Sequence, residues 1–418
     1  MCMRNIQELM EIQKIDYTKL ISNKIRDKKN SLQFLPTDLY HLRDVKVISY
    51  KNTNLKSAYI IDIVHNLILK YFFKKDNSFV LNSIILKKKY GHLYNIYISY
   101  LIDNNFIKMD RNYKAGVTSR TYSLNPRIFK SKIHRYSNQD KVLIKKYKSK
   151  IIELIDYNSN QLSPIDVDVR QKLVSDLFQV TIDKNRSMAF LNGLKRKDID
   201  IYNRNAYSVE SISDKHIFFH FDSFGRMHTN FTILRSFIRK NCLLIDGEET
   251  AEIDIKNSQP LFLCKLIEES GTSWVKKEEF DFFKSLTING TYYEYMMQSL
   301  NVKDRKLVKE MTYKVLFGRN ASNSRIDKSF ASIFPTIHHF IKLYKKDMGD
   351  YRSLSYDLQR AESGLIYNKI IKKLMVEHPE IKMITVHDSI VYPKKYREIV
   401  TRFFYDEIKS EFGIVVIN

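Results

Sequence analysis

Two carboxylates in this 418-residue chain lie in segments whose pattern predicts a metal site. In AEIDIKNSQPLFL, residues 251 to 263, apolar and acidic residues alternate, which predicts a strand with Asp254 at its end and a helix beginning near Pro260. In KMITVHDSIVYP, residues 382 to 393, two β-rich runs flank Asp388, which predicts a hairpin with this acid at its tip. Two acids on neighbouring strands can share two magnesium ions and so support in-line displacement at phosphorus.

A third segment, DRKLVKEMTYKVLFGRN at residues 304 to 320, has the pattern of a helix suited to hold a nucleotide. Four of its side chains recur every four residues and form one stripe: Arg305, Lys309, Tyr313 and Phe317. The two cations can hold a triphosphate while the rings stack on its base, and Gly318 ends the helix. Each of these patterns alone is more often a cap, a salt bridge, a turn or an ordinary helix face, so the interpretation depends on their combination.

In order and spacing, the three segments resemble motifs A, B and C of the family A DNA polymerases and of the related phage-type single-subunit RNA polymerases. The resemblance implies that Asp254 and Asp388 bind two Mg²⁺ ions, or Mn²⁺ in their place. It implies that the stripe of four side chains binds the incoming nucleotide and that its two cations act in catalysis. His387 is implied to act at the primer terminus, and both His387 and Gly318 are implied to contact the primer and template.

Three further segments are similar to segments of the same family, in the same order. FGRMHTNF, residues 224 to 231, is similar to the family's Gly-Arg segment, in which the arginine, here Arg226, contacts the primer-template duplex. SFASIFPTIHHFIKLYKK, residues 329 to 346, looks like the fingers segment that follows motif B. LQRAESGLIYNKIIKKLM, residues 358 to 375, is similar to the helix before motif C, with Gln359 as a minor-groove contact.

Three positions depart from the DNA polymerase pattern and concern the choice of sugar. Ser389 follows the motif C aspartate, where the DNA polymerases usually have Glu and the RNA polymerases have Ser. Gln259 takes the place of the Glu that blocks a ribose 2′-hydroxyl and is implied to lie at the nucleotide. Phe317 replaces the usual Tyr, whose hydroxyl helps the RNA polymerases to select ribose, and so favours deoxynucleotides.

The charge balance favours a polyanionic partner, because 70 Lys and Arg outnumber 47 Asp and Glu and give a formal charge of +23. No apolar run approaches the roughly 20 residues that cross a bilayer, and the N-terminal segment lacks a signal peptide's apolar stretch. An intracellular, cytoplasmic protein without a membrane partner is therefore expected. Cys2, Cys242 and Cys264 have no metal-ligand spacing, so neither a zinc site nor a disulfide framework is predicted.

The first half of the chain predicts two further units. Residues 57 to 125 have the order of a winged helix-turn-helix, with a second helix from about Leu93 to Asp103 and a basic wing that turns near Ala115 and Gly116. A small helical adaptor that does not contact DNA is the alternative. Residues 131 to 217 are predicted to be mainly helical, and their basic face is either a thumb that grips a duplex or a solvated helix surface.

These observations predict an α+β chain with a right-hand polymerase palm, an antiparallel sheet, and helical fingers and thumb. The predicted domains are 1–130 with the winged-helix-like unit, 131–217 as a thumb-like region, and 218–418 as palm and fingers. The function expected is a compact DNA-directed DNA polymerase without a proofreading exonuclease, which uses dNTPs on a DNA primer-template and is recruited by its winged helix to a replication origin or to a mobile element. The alternatives are an RNA polymerase or primase that uses NTPs, and a DNA-binding replication or regulatory protein with a non-catalytic palm.

Overall fold

A computed structural model describes residues 25, 29, 31–74, 77–109, 120–160, 165–195, 198–320 and 325–413. Across these residues the chain is mixed α+β, with helices around five small antiparallel sheets. The first half contains β1 (Ser31–Pro36), a 3-10 helix (Thr37–Asp44), β2 (Val47–Tyr50), β3 (Thr53–Lys56), α1 (Ser57–Lys74), β4 (Phe79–Val80), α2 (Ser83–Tyr90), α3 (Tyr94–Asp103), β5 (Ile107–Met109), β6 (Thr121–Leu124), α4 (Pro126–Lys130), β7 (Ile133–Asn138), α5 (Lys141–Asn160), α6 (Val167–Leu177), β8 (Val180–Ile182), α7 (Lys184–Lys195) and α8 (Ile199–Ser213).

The second half continues with shorter strands and longer helices. It contains β9 (Phe219–Phe221), β10 (Met227–Thr229), α9 (Ser236–Cys242), β11 (Leu243–Ile245), β12 (Glu248–Asp254), α10 (Ser258–Glu269), α11 (Lys277–Ile288), α12 (Tyr292–Leu300), α13 (Arg305–Phe317), α14 (Arg325–Ile333), α15 (Pro335–Asp347), α16 (Ser353–Ser363), a π-helix (Gly364–Ile371), α17 (Lys372–Glu377), β13 (Ile384–Val386), β14 (Ser389–Pro393), a 3-10 helix (Lys394–Tyr396) and α18 (Arg397–Phe412). None of the helices in the described part of the chain combines the length and the apolar character needed to cross a membrane.

Helices α1 to α3 and strands β4 to β6 have the order that the sequence predicts for residues 57 to 125. Asn82 begins α2 by accepting hydrogen bonds from the backbone N–H groups of Ile84 and Ile85, and Gly91, at φ +80°, ends it. The three strands form one sheet in the order β4-β6-β5. The wing tip predicted near Ala115 and Gly116 lies outside the described residues.

The first hydrophobic core lies in the interior of this unit. It joins α1, α3 and the sheet to β1, and its fully buried side chains include Leu35, Ile60, Val64, Ile68 and Leu101. Strand β1 pairs antiparallel with β7, from Ser31 opposite Asn138 to Pro36 opposite Ile133. In addition to helices α5 to α8, the segment 131–217 therefore supplies β7 to a two-stranded sheet with β1 and supplies β8 to a sheet with β11.

The second core surrounds a five-stranded antiparallel sheet with the strand order β13-β14-β12-β11-β8. Its central strand β12 alternates, with Ala251 and Ile253 buried and Thr250, Glu252 and Asp254 only half-buried. One face of the sheet therefore packs on apolar helices, and the other carries the polar side chains. Helix α10 follows β12 directly and begins at Ser258, two residues before the predicted start.

A buried ion pair on α6 connects this helix to the segment that precedes β13. The Lys172 ammonium pairs with the Asp176 carboxylate one turn on and donates to the Ile381 carbonyl oxygen at 2.8 Å. The same carboxylate accepts the backbone N–H of Met383 at 3.0 Å, immediately before β13. Both charged side chains are almost fully buried, so each depends on the other for its solvation.

We expect Lys172→Met to lower the free energy of unfolding by about 3–5 kcal/mol, because it leaves the Asp176 carboxylate buried without its counter-charge. Equilibrium unfolding in urea measures the loss. The double variant Lys172→Met with Asp176→Leu should recover part of it, since no buried charge remains. A loss below about 1 kcal/mol for the single variant would mean that the pair is not structural.

Candidate active site

Asp254 and Asp388 lie on neighbouring strands at the same edge of the five-stranded sheet. Strand β12 pairs with β14, and Asp254 is directly opposite Ser389, the residue after Asp388. Cα atoms of directly paired antiparallel residues are about 4.5–5.5 Å apart, so the two acids occupy adjacent positions. His387 and Asp388 form the two-residue connection between β13 and β14, with His387 at φ +58°. The hairpin predicted from the sequence is confirmed.

Asp388 is largely desolvated and lies near two other acids and near the Lys309 ammonium. Burial, followed by the charges of Glu362 and Asp254, raises the pKa of the Asp388 carboxyl to about 7, although the Lys309 ammonium acts in the opposite direction. The three acids are therefore close enough to repel one another across the cleft. A cation placed between Asp254 and Asp388 would relieve this repulsion.

His387 presents a neutral ring beside the acids. Protein atoms around the ring desolvate it, and the positive charges of Arg226, Arg239 and Lys309 act on it together with the His228 ring, so that its pKa is lowered to about 4. Its ring meets that of His228 edge to face at a centroid distance of 6.5 Å. The ring is exposed at the hairpin tip, so at neutral pH it offers an uncharged donor and acceptor to whatever enters the cleft.

Glu362 is a third acid that sequence reasoning missed. It is almost fully buried on α16 and accepts hydrogen bonds from the Arg226 guanidinium, with Nε at 3.0 Å, from Gln259 Nε2 at 2.6 Å and from the Ser258 hydroxyl. The sequence could have revealed Glu362 by its position on the apolar face of the helix, four residues after the buried Leu358. A carboxylate in such a stripe requires buried partners.

Arg226, predicted to contact a duplex, lies on the floor of the cleft. The hairpin of β9 and β10 turns at Asp222, whose carboxylate accepts the backbone N–H groups of Phe224 and Arg226 and lies 2.8 Å from His228 Nε2. The Arg226 guanidinium then reaches Glu362, with its side chain only 19% exposed. The Arg226 charge is therefore paired with a buried carboxylate, and it also acts on Asp388.

A second ion pair lies one strand position behind Asp254. Glu252, two residues earlier on the same face of β12, accepts hydrogen bonds from Arg239 Nη2 at 2.8 Å and from the Ser389 hydroxyl at 2.9 Å. Arg239 is buried on α9 and also donates to the Leu234 carbonyl oxygen. Ser389 thus links β14 to β12 directly beside the two acids.

The stripe of four side chains that is predicted to bind a nucleotide lies on helix α13. Its members differ in whether they lie near Asp388. Lys309 and Tyr313 lie close enough to Asp388 to influence its site, whereas Arg305, at the start of the helix, pairs with Glu294 at 2.8 Å and lies over the Tyr293 ring.

The far end of α13 fits the sequence expectation. The Tyr313 and Phe317 rings are in contact, with centroids 5.3 Å apart. The helix ends at Gly318, where a Cβ would lie 2.3 Å from the Lys314 carbonyl oxygen, so only glycine fits this end.

The remaining predicted contacts are on neighbouring elements. Gln359 Nε2 donates to Ser355 Oγ at 2.7 Å within its own helix, α16. Gln259 lies in the first turn of α10, with its amide nitrogen held by Glu362. Phe334 separates α14 from α15, which begins at Pro335, so the aromatic-proline step of the predicted fingers segment is a helix junction.

Two amide side chains next to Asp254 are buried with polar atoms that no described residue satisfies. They are both atoms of the Asn257 amide and the side-chain oxygen of Gln259. Asn257 is in the left-handed region at φ +55° and forms the turn between β12 and α10. Buried polar atoms normally have partners, so their position beside the acids is suited to a polar ligand.

The donor set fits divalent cations of the magnesium type. Mg²⁺ is usually bound by one or two carboxylates together with substrate phosphates and water, which matches the pair Asp254 and Asp388. Within the described ranges, no group of three or more His, Cys, Asp or Glu side chains is arranged so that it could hold a metal ion.

In comparisons with known proteins, no family model matches the sequence, and no curated protein matches it.

Proposed function

We propose that this chain is a template-directed nucleotidyltransferase, a compact DNA-directed DNA polymerase of the family A type. The observation that carries the proposal is the strand register that sets Asp254 opposite Ser389, because it brings two acids from distant segments to adjacent positions. The buried faces, the hairpin at His387 and the lysine-bearing helix beside it support the same proposal.

In this proposal the five-stranded sheet is the palm and the helices α11 to α15 are the fingers. The palm would supply the acids, and α13 would supply Lys309, whose ammonium acts on Asp388. The thumb would come from the helices of residues 131 to 217. Residues 57 to 125 would act as a winged helix that recruits the enzyme to duplex DNA of a mobile element.

Several side chains of this protein would have separate roles in strand extension. Two bound Mg²⁺ ions would supply Lewis-acid activation of the strand's terminal hydroxyl and neutralise charge on the triphosphate. Asp254 and Asp388 would hold these ions, and Lys309 would balance phosphate charge from the side of α13. His387, neutral at physiological pH, would pack against the strand terminus without adding charge.

The choice between deoxyribose and ribose depends on Gln259 and Phe317. Phe317 has no hydroxyl to bind a ribose, which supports dNTPs as the substrate. The second candidate is an RNA polymerase or primase, and the observation in its favour is the unpartnered oxygen of Gln259. That oxygen can accept a hydrogen bond from a ribose hydroxyl. A glutamate at the same position would be negatively charged and would repel a phosphate-bearing ligand more strongly.

Primer extension by the purified chain tests the proposal. The assay uses a labelled primer on DNA and RNA templates, Mg²⁺, and either dNTPs or NTPs, with a primer-free reaction alongside. Extension with dNTPs supports the DNA polymerase, whereas preference for NTPs or initiation without a primer supports the second candidate. No incorporation on any template with either nucleotide would contradict both.

We expect Lys309→Gln to lower kcat/KM for the nucleotide by about 10²–10³-fold, because a cation facing the triphosphate is lost. Lys306→Gln is the matched control, since Lys306 is an exposed lysine on the same helix and does not influence Asp388. Steady-state single-nucleotide incorporation measures both variants. Equal losses for the two lysines would show that α13 does not present Lys309 to the substrate.

A further inference from the structure

The last turn of α13 is held by a lysine from a different helix. Lys345, on α15, is only 2% exposed, and its ammonium donates hydrogen bonds to the carbonyl oxygens of Val315 at 2.8 Å and Gly318 at 2.9 Å. The last carbonyl groups of a helix have no partner within the helix and carry partial negative charge. A cation from outside the helix therefore satisfies the end of α13 that carries Phe317.

A second lysine, one turn earlier on α15, holds the backbone just beyond this end. Lys342 Nζ donates to the Asn320 carbonyl oxygen at 3.0 Å, and the Asn320 side-chain amide donates to the Lys342 carbonyl oxygen at 2.9 Å. Lys342 also pairs with the Asp327 carboxylate of α14 at 3.0 Å. Helix α15 thus holds residues 318 to 320 at two points, one through an ion-paired lysine and the other through Lys345.

The Lys345 ammonium has no carboxylate of its own. Among the described residues, the Asp327 carboxylate pairs with Lys342, and no acid lies within ion-pair distance of Lys345. Burial and the neighbouring Lys342 charge lower the pKa of the Lys345 ammonium to about 8, although Asp327 acts in the opposite direction. The folded chain therefore holds this proton less tightly than the unfolded chain does, so at neutral pH the charge on Lys345 lowers the stability of the protein.

Stability alone does not explain a charged lysine at this buried position. Apolar residues of similar volume are often neutral or stabilising where they replace buried charges, and buried ionisable groups with shifted pKa values are concentrated at functional sites. The helix end that Lys345 holds carries Tyr313 and Phe317, whose rings are in contact. The charge of Asp388 acts on Tyr313, so this ring pair lies near the two acids.

We propose that Lys345 is a positioning residue for the ring pair of Tyr313 and Phe317. Its ammonium fixes the last turn of α13 against α15, and the fixed turn sets where the two rings lie. The consequence for a nucleotide rests on the proposed function, in which the rings pack on the base of the incoming nucleotide. Lys345 would then act on nucleotide affinity rather than on the chemical step.

Hydrogen–deuterium exchange of the backbone amides tests the first part of the inference without any turnover. In Lys345→Met, which removes the charge and keeps most of the volume, the amides of residues 314–318 should exchange at least about tenfold faster, the scale of one lost hydrogen bond to a charged group. The amides of residues 309–313 should change less than about twofold. Lys346→Met is the matched control, because Lys346 is the exposed neighbour on the same helix and has no ion pair among the described residues.

Urea unfolding separates a positioning role from a general structural one. The unfolding midpoint of Lys345→Met should stay at or above that of the wild type, because a buried charge is lost. A lower midpoint with equal acceleration of exchange along the whole of α13 would overturn the inference. Unchanged exchange at residues 314–318 would overturn it as well.

Single-nucleotide incorporation tests the second part of the inference. Lys345→Met should raise KM for the dNTP about tenfold and change kcat less than about threefold, because the rings act on binding. Phe317→Ala should also raise KM, and the double variant should be no worse than Phe317→Ala alone, since Lys345 acts through that ring. Additive losses in the double variant, or a loss confined to kcat, would contradict the positioning role.

The two measurements distinguish failure of this inference from failure of the proposed function. If the wild type incorporates no nucleotide, the proposed function fails, while the exchange pattern still shows whether Lys345 fixes the end of α13. If the wild type is active and Lys345→Met matches Lys346→Met in exchange and KM, only the inference fails. If Lys345→Met does not fold by circular dichroism, Lys345→Gln replaces it with the same expected results. Failure of both variants to fold would mean that the whole fold depends on Lys345, which also overturns the inference.

Discussion

Replacing Asp254 or Asp388 by alanine should lower the rate of single-nucleotide incorporation by at least about 10³-fold. Each variant removes one of the two carboxylates that the strand register brings together, and under the proposed mechanism these two carboxylates would hold the metal ions. The effect should fall on kcat, because the acids act on charge that develops in the transition state. Rapid-quench kinetics under saturating nucleotide measures it directly.

The control for these variants is Glu248→Gln. Glu248 is an exposed acid at the start of the same strand, paired only with Lys395 at the surface, and its loss should change the rate less than about twofold. Asp254→Ala and Asp388→Ala should stay folded, since removing one of several neighbouring acids lowers the electrostatic repulsion among them. Folded Asp254→Ala or Asp388→Ala protein with near wild-type activity would contradict the two-metal proposal.

Replacing Glu362 by alanine should produce the largest loss of stability of any change in the cleft, about 3–5 kcal/mol. The carboxylate is the common acceptor for Arg226, Ser258 and Gln259, so its removal leaves a largely buried guanidinium and two buried donors without a partner. Urea denaturation measures the loss of unfolding free energy.

An exposed Arg–Glu pair on the same half of the chain provides the comparison. Glu294 and Arg305 form a pair whose side chains are each 49% exposed, so Glu294→Ala should cost less than about 1 kcal/mol. Adding Arg226→Met to Glu362→Ala should restore part of the loss, because no unpaired buried charge remains. If Glu362→Ala and Glu294→Ala cost the same, the buried network does not support the floor of the cleft.

Local sequence pattern was sufficient for the elements that carry the two acids. The strand ending at Asp254, the hairpin at His387 and the helix ending at Gly318 each follow from alternation, a four-residue stripe or a terminating glycine, all of which act over a few residues. The order of helices and strands in residues 57 to 125 was predicted for the same reason.

Long-range contacts were beyond the reach of these patterns. Glu362 is tied to Arg226 and Ser258 across more than 100 positions, and the pairing of β1 with β7 joins residues about equally distant in the chain. Such partners become visible only when the fold brings them together, because neither periodicity nor turn chemistry specifies which distant segment a charge or strand will meet. Helix α13 ends at Gly318 as predicted, Lys309 acts on Asp388, and Arg305 pairs with Glu294.

The most direct measurement of the central claim is anomalous diffraction from crystals of the chain with primer-template, Mn²⁺ and a non-hydrolysable nucleotide. The proposal predicts two anomalous peaks about 3.5–4 Å apart, both contacted by the carboxylates of Asp254 and Asp388. Nucleotide and nucleic acid seated in the cleft with no peak between these two acids would contradict it.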